Sequence, residues 1–299
     1  MNGQPKLMNF SRMRDAFAPT FEQLSDHIFF SQELAIVHGN KQLYHLLIQQ
    51  QPPFAIDDRR FVIFLRGKAT IDINLKRSEY VPQSLVFLGP GTIINPVTVT
   101  DDIELLVLAV FPPFILPFAE GQMPAAFNGQ ERDFRLDPDP ADFDIARRIV
   151  DTLWMLVHQA DYSRATAAAL VAALMRHYDD LHSRQSERLR ATRTHEQTVL
   201  DRFLYLVNSH AARQHQIGFY ASKLCLTERY LGTVVRQASG LTAKEWIDRA
   251  IVLRIKVALR HTDKTAAQIS EEFNFPNPSF FVKYFKRLTS LTPAQYRRL

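Results

Sequence analysis

Arg229, Gly232, Thr233 and Arg236 lie at the spacing of neighbours on one helix face, and fifty residues later Ser279, Val282, Lys283 and Lys286 repeat that spacing, with Arg287 beside them. A helix that shows small and basic groups over its N-terminal half fits the major groove of a nucleic-acid duplex. There Arg or Lys donates to guanine edges, and Thr or Val methyl groups touch the thymine methyl. Arg229 and Lys283 are the strongest candidates for reading bases. Surface charges on ordinary helices are the bland alternative, and the duplication of the pattern weighs against it.

The elements that must position these residues are duplicated too. Leu224 and Leu226 fall on Phe273 and Phe275 at an offset of 49, whereas Thr227, Tyr230, Leu231, Val235 and Arg236 fall on Asn277, Phe280, Phe281, Phe285 and Lys286 at an offset of 50, so one residue is inserted at the turn. Each copy reads as a short apolar helix, a turn, a capping residue and a second helix, over 217–238 and 265–288. Asn277 can cap the second helix of the later copy, and Pro278 then occupies the first helical position, where its missing N–H costs nothing. Periodicity turns Tyr230, Leu231, Val234 and Val235 inward in one copy, and Phe280, Phe281, Tyr284, Phe285 and Leu288 in the other, against Ile269 and Phe273. Between them 243–261 reads as one helix with Trp246, Ile247, Ala250, Ile251, Val257 and Ala258 toward a core. Its nineteen residues span roughly 28 Å, close to the about 34 Å rise of one DNA turn. A strut of that length would set the two reading helices in successive major grooves.

Charge follows the same division. Residues 184–299 hold 20 Lys and Arg against 9 Asp and Glu, whereas 1–183 hold 16 against 22; a basic region of this kind attracts nucleic acid. The single cysteine, Cys225, excludes a disulfide within the chain and a cysteine-cluster zinc site. The opening MNGQPKLMNF lacks the features of a secretory signal. The apolar run from Leu105 to Phe118 is short and broken by Pro112, Pro113 and Pro117, so no membrane span and a cytoplasmic location are expected. From Leu34 to Phe111, the runs LAIV, LYHLLI, FVIFL, ATIDINL, SLVFL and IELLVLAVF, separated by HGN, RGK and GPG, read as antiparallel strands of a small barrel or sandwich. Ile71, Ile73 and Leu75 share one face there. Residues 112–140 read as a loose connection, followed by two helices over 142–159 and 163–183. The first carries Ile145, Ile149, Leu153 and Leu156 and the second Ala167, Leu170, Leu174, Tyr178 and Leu181 at helical spacing. The polar stretch 184–194 reads as a linker, and every segment from 195 onward as helix.

At this point the residues resemble a known family. The runs LCLTERYLGTVVRQASGLTAKEWIDRAIVLRIKVALRHT and AAQISEEFNFPNPSFFVKYFKRLTSLTPAQYRR are similar to the signature of the AraC/XylS transcription regulators over about residues 196–298. The resemblance implies that Arg229, Gly232, Thr233, Ser279, Val282 and Lys283 contact bases. It also implies an α+β chain: a cupin-like β-barrel domain with flanking helices (1–183), a linker (184–194) and an all-α DNA-binding domain with two helix-turn-helix units joined by a long helix (195–299). Expected partners are double-stranded promoter DNA, RNA polymerase, a small-molecule effector and a second copy of the chain through 142–183; no cofactor and no enzymatic activity are expected. Two positions depart from the family, Asn274 and Ser290, where glycine is common. Gly232 supplies no side chain at a reading position. A metal-binding cupin would carry a His-x-His pair with a following Glu, and His27, His38 and His45 do not form one. Tyr44, His45, Phe61, Ile63 and Phe87 are candidates for lining an effector pocket. The rival reading is a cupin-type enzyme with an accessory helical module, which metal analysis of the pure protein would separate.

Overall fold

The computed structural model describes residues 25–49, 52–111, 114, 123–129 and 131–298. The chain divides into two compact units, one that ends at Leu189 and one that begins at Arg190, the short segment Asn74–Lys76 grouping with the second. Among the described residues no helix is long and apolar enough to cross a membrane. The opening decapeptide and Pro112, Pro113 and Pro117 lie outside the described residues.

The first unit is built on two antiparallel sheets. Its strands are β1 (Ile28–Phe30), β2 (Leu34–Asn40), β3 (Phe54–Ala55), β4 (Arg59–Arg66), β5 (Ala69–Ile73), β6 (Lys76–Tyr80), β7 (Leu85–Leu88), β8 (Ile93–Val99), β9 (Glu104–Val110) and β10 (Asp133–Leu136). One sheet runs β1-β2-β9-β4-β7-β10 and the other β3-β8-β5-β6. Alternation along β4 decides what each face meets. Phe61 and Ile63 join Leu34, Ile36, Phe87 and Leu108 in a core completed by helices α2 (Pro140–Val157) and α3 (Arg164–Thr192). Val62 and Phe64 turn the other way and pack with Ile73, Ile94 and Tyr80 of the second sheet. The larger sheet is therefore buried on both faces, which is why FVIFL is apolar without a break.

Several expectations are corrected here. Among the described residues the strands form two separate sheets, one ending at β1 and β10 and the other at β3 and β6, not a closed barrel. LYHLLI is not a strand: Lys41–Gln49 is a helix, α1, capped where the Leu43 N–H donates to Asn40 Oδ1 at 3.0 Å. HGN continues β2 in register with β9 rather than turning. The described part of 112–140 is not loose, because β10 pairs with β7 and Phe127 and Leu136 are buried. On α2 Leu153 is buried and Ile149 and Leu156 pack against the core as expected, but Ile145 faces solvent, and Phe143, Ala146, Val150 and Val157 complete the buried face. Residues 184–192, read from their polarity as an irregular linker, are helical and continue α3, and the two units part within them.

The second unit is helical: α4 (His195–His210), α5 (Ile217–Lys223), α6 (Glu228–Ser239), α7 (Ala243–His261), α8 (Ala266–Glu272), α9 (Pro278–Thr289) and α10 (Pro293–Arg298). One apolar core unites them, with Phe203, Tyr220, Leu231, Val235, Ile247, Ile251, Ile255, Ile269, Phe281 and Phe285 all fully buried. Burying a side chain of this size stabilises by roughly 1.5 to 3 kcal/mol. Helix starts are specified by side chains: Thr194, Thr242 and Thr265 each form a capping box with Gln197, Glu245 and Gln268.

His215, packed on Phe275 with ring centroids 5.0 Å apart, is held below the ordinary 6.5 of imidazole, chiefly by burial and also by the charge of Lys244. Backbone hydrogen bonds and the Asp248 charge oppose this shift without reversing it. A base with a lowered native pKa leaves the unfolded state binding more protons, so stability is fully present above pH 6.5 and falls as the pH drops toward the native pKa. Thermal melts from about pH 7.5 to about pH 5.5 should show a falling transition that His215→Gln flattens. A transition equally pH-dependent in the variant would assign the acid sensitivity to other groups.

Candidate nucleic-acid interface

Both copies of the motif make their turn with the same local devices. The chain leaves the first helix through a residue with positive φ, Cys225 (57°) after α5 and Asn274 (54°) after α8. The next residue is apolar, Leu226 or Phe275, and the cap follows, directly at Thr227 in the first copy and after Pro276 at Asn277 in the second. Thr227 Oγ1 accepts from the Tyr230 N–H at 3.2 Å, and Asn277 Oδ1 from the Phe280 N–H at 2.8 Å. Pro278 stands at the first position of α9. The second helix of each copy ends on a left-handed residue, Gly240 (φ 74°) and Ser290 (φ 64°), whose N–H donates to the carbonyl of Arg236 and of Lys286. Ser239 and Thr289 hydroxyls close the same turn on the carbonyls of Val235 and Phe285 at 2.6 and 2.7 Å.

The position of Ser290 explains why glycine would suit it. A left-handed conformation costs an L-residue roughly 1 to 2 kcal/mol that glycine avoids. Ser290→Gly is expected to raise the stability of the helical unit by about 1 kcal/mol, read as an upward shift of the urea midpoint. Asn274→Gly should gain less, because asparagine tolerates that region and its Nδ2 donates to the Arg213 carbonyl at 3.3 Å. A larger gain at Asn274 than at Ser290 would refute this account.

On both second helices the inner stripe is locked and the outer stripe is open. Leu231, Val234 and Val235, and Phe281, Tyr284 and Phe285, are buried. Arg229, Thr233 and Arg236 of α6, and Ser279, Lys283, Lys286 and Arg287 of α9, are exposed, while Gly232 and Val282 are half-buried. Among the described residues no ion pair engages Arg229, Arg236, Lys283 or Lys286, whereas Lys244 and Lys264 are paired with Asp248 and Glu272. The Thr233 hydroxyl donates to the Arg229 carbonyl at 3.0 Å, which commits its proton to the helix. A Cβ on Gly232 would meet only Ile217 Cδ1, at 4.0 Å, so the fold leaves room there for a side chain. Tyr230, Phe280 and Leu288, expected inside, are 43%, 51% and 40% exposed. The physical reason is angular: the apolar positions of each helix subtend more of its circumference than the core can cover.

Helix α7 is pinned to both reading helices. Trp246 Nε1 donates to Ser239 Oγ at 2.8 Å, next to the end of α6. Tyr284 of α9 donates its hydroxyl to Asp248 Oδ1 at 2.6 Å, and Lys244 Nζ donates to the same oxygen at 2.6 Å. Burial, reinforced by the Asp248 carboxylate, pushes the Tyr284 phenol well above its ordinary value, so it stays a donor. Sequence periodicity had no means of pairing Asp248 with Tyr284, thirty-six residues apart.

The residues proposed to line an effector pocket divide. Phe61, Ile63 and Phe87 share one core between the larger sheet and helices α2 and α3, with the rings of Phe61 and Phe87 5.4 Å apart. Tyr44 and His45 sit on α1, half-buried and exposed, outside that core. Burial raises the Tyr44 phenol above its ordinary value.

Comparison with known proteins falls on the same residues. A helix-turn-helix domain family matches 220–299. The chain is 25% identical to the regulatory protein PocR of Salmonella typhimurium over 116 residues, which is 38% of each. It is 26% identical to the HTH-type transcriptional activator RhaR of Escherichia coli K12 over 106 residues, 36% of this chain and 38% of RhaR. The aligned part thus spans well under half the length of these curated relatives. Among solved structures, ToxT from Vibrio cholerae O395 aligns over 82% of this chain and 90% of its own, at 15% identity and a TM-score of 0.37. The DNA-binding domain of AdpA, solved with a target DNA, aligns over 33% and 89% at 20% identity and a TM-score of 0.31. With both helix-turn-helix copies in place and the family match over them, residues 220–299 are an AraC-type helix-turn-helix domain.

Proposed function

We propose that this protein is a sequence-specific DNA-binding transcription regulator whose two reading helices enter successive major grooves of a promoter. The observation that carries this is the pair of exposed basic faces, on α6 and α9, whose opposite faces are locked into one core. In this reading Arg229, Gly232, Thr233 and Arg236 meet one groove, and Ser279, Val282, Lys283, Lys286 and Arg287 the next. Lys and Arg at the rims contact phosphates and set the register, while Arg229 and Lys283 read base edges.

Residues 1–183 are assigned to sensing and self-association, with the helical pair at 142–183 as the dimer contact, 184–194 as the connection and 195–299 as the reading domain. A small-molecule effector would act on the core that holds Phe61, Ile63 and Phe87. Tyr178 and Leu181 lie in that same core, and residues 184–192 lie in the same helix, so repacking there would be carried along a continuous element as a population shift. RNA polymerase is the partner a promoter-bound regulator of this kind would meet. Selection of bound sequences from a random DNA pool, followed by footprinting with candidate metabolites, tests the whole reading. A bounded protected site of two segments one helical turn apart is expected; uniform coverage of any duplex overturns it.

A further inference from the structure

Tyr230 and Phe280 occupy the same place in the two copies, the third residue of each second helix, and both rings face solvent at 43% and 51% exposure. Neither is needed to fill the helical core, which Leu231 and Phe281 complete from the adjacent positions. Phe280 only skirts it, with its ring centroid 6.2 Å from that of Phe275. A large ring left in water at one site is unremarkable, but the same exposure at equivalent positions of a duplicated motif marks a contact surface. Each ring lies in the leading turn, beside the outward residues of its helix, with Thr233 one turn beyond Tyr230 and Lys283 one turn beyond Phe280.

Charge identifies the occupant as a polyanion. From Phe273 to Leu299 the sequence holds no Asp or Glu and five Lys or Arg residues, Lys283, Lys286, Arg287, Arg297 and Arg298. The apolar group a polyanionic duplex offers to the leading turn of a helix in its major groove is the C5-methyl of thymine. Resting on the DNA-reading function above, we propose that Phe280 and Tyr230 are specificity-determining residues, each packing its ring on a thymine methyl in its own groove.

The test uses the full chain and a duplex selected from a random pool. Replacing the thymines under each helix by deoxyuridine removes only the methyl groups. Phe280→Ala and Tyr230→Ala should each weaken the selected site by about five- to tenfold. On the matching uracil duplex each variant should lose nothing further, whereas the wild type falls to the level of the variant. The salt dependence of binding should keep its slope, since no phosphate contact is removed, in contrast to Lys286→Ala. Thermal melts should stay at the wild-type midpoint; for a variant that melts early, Phe280→Leu or Tyr230→Leu, which keeps an apolar contact, takes its place and should lose less than the alanine. Unchanged affinity in the variants, additive losses from ring and methyl, or a selected site with no thymine under either helix would overturn the inference. A wild-type protein that selects no sequence at all would instead overturn the DNA-reading function on which it rests.

Discussion

Phe285→Ala is expected to destabilise the helical unit by about 3 to 5 kcal/mol and to abolish DNA binding with it. The ring is fully buried, and it packs edge-on against Tyr296 at 5.7 Å and beside Phe281 at 6.4 Å, so its removal empties a site lined by two other aromatic groups. The surrounding helices are held by side-chain pins, Tyr284 to Asp248 and Trp246 to Ser239, which limit how far they can collapse into the void. A domain is stable by only about 5 to 15 kcal/mol in total, so a loss of this size is a large share of what keeps α9 folded. The equivalent residue of the first copy is Val235, also fully buried. Val235→Ala removes fewer atoms and should cost correspondingly less. Urea unfolding followed by far-ultraviolet circular dichroism measures both, and Lys286→Ala, next to Phe285 but exposed, should stay within about 0.5 kcal/mol of wild type. Equal losses for Phe285→Ala and Lys286→Ala would show that the ring does not anchor the helix.

That contrast between Phe285 and Lys286 is what the sequence made legible. In the helical unit, local rules agree with one another: Thr227 and Asn277 cap, Pro278 starts a helix, Gly240 ends one, and the apolar stripe follows the period. Helix α7 accordingly runs over 243–261, the span the periodicity predicts. The left-handed turn at Ser290 is visible only in the backbone, because serine carries no mark of it. In the first unit the rules conflict. LYHLLI has strand-forming residues but forms α1, since Leu43 and Leu46 need only one side to pack on the edge of the larger sheet. Strands β6 and β10, KRSEY and DFRL, lack clean alternation and are held by their neighbours in the sheet. The stretch RQSERLRAT looks like a linker by polarity, yet Arg, Gln, Glu, Leu and Ala are good helix formers, and α3 runs through it. Among the candidate pocket residues, Phe61, Ile63 and Phe87 meet because they alternate on paired strands, which a run of apolar letters already suggests. Tyr44 and His45 fall away because their run is a helix.

Lys283→Ala is expected to weaken binding to the selected site by about 1 to 3 kcal/mol and to relax preference at one base pair, with little change on random duplexes. Lys283 is exposed on the first half of α9, in the second turn after the cap at Asn277 and without an ion pair among the described residues, so its ammonium is available to a guanine edge. Lys286 and Arg287 lie one turn further from the leading end, and Arg287 stacks over the Tyr284 ring at 5.6 Å. Removing either should lower affinity alike for all sequences and reduce the salt slope by about one. The alanine variants therefore separate along two axes, base preference and salt dependence, that a generic loss of positive charge would move together. Binding curves for each variant on the selected and a scrambled duplex, at several salt concentrations, place them. Should Lys283→Ala lose equally on both duplexes, the residue contacts phosphate, and base reading by α9 passes to Ser279, Val282 and the ring of Phe280.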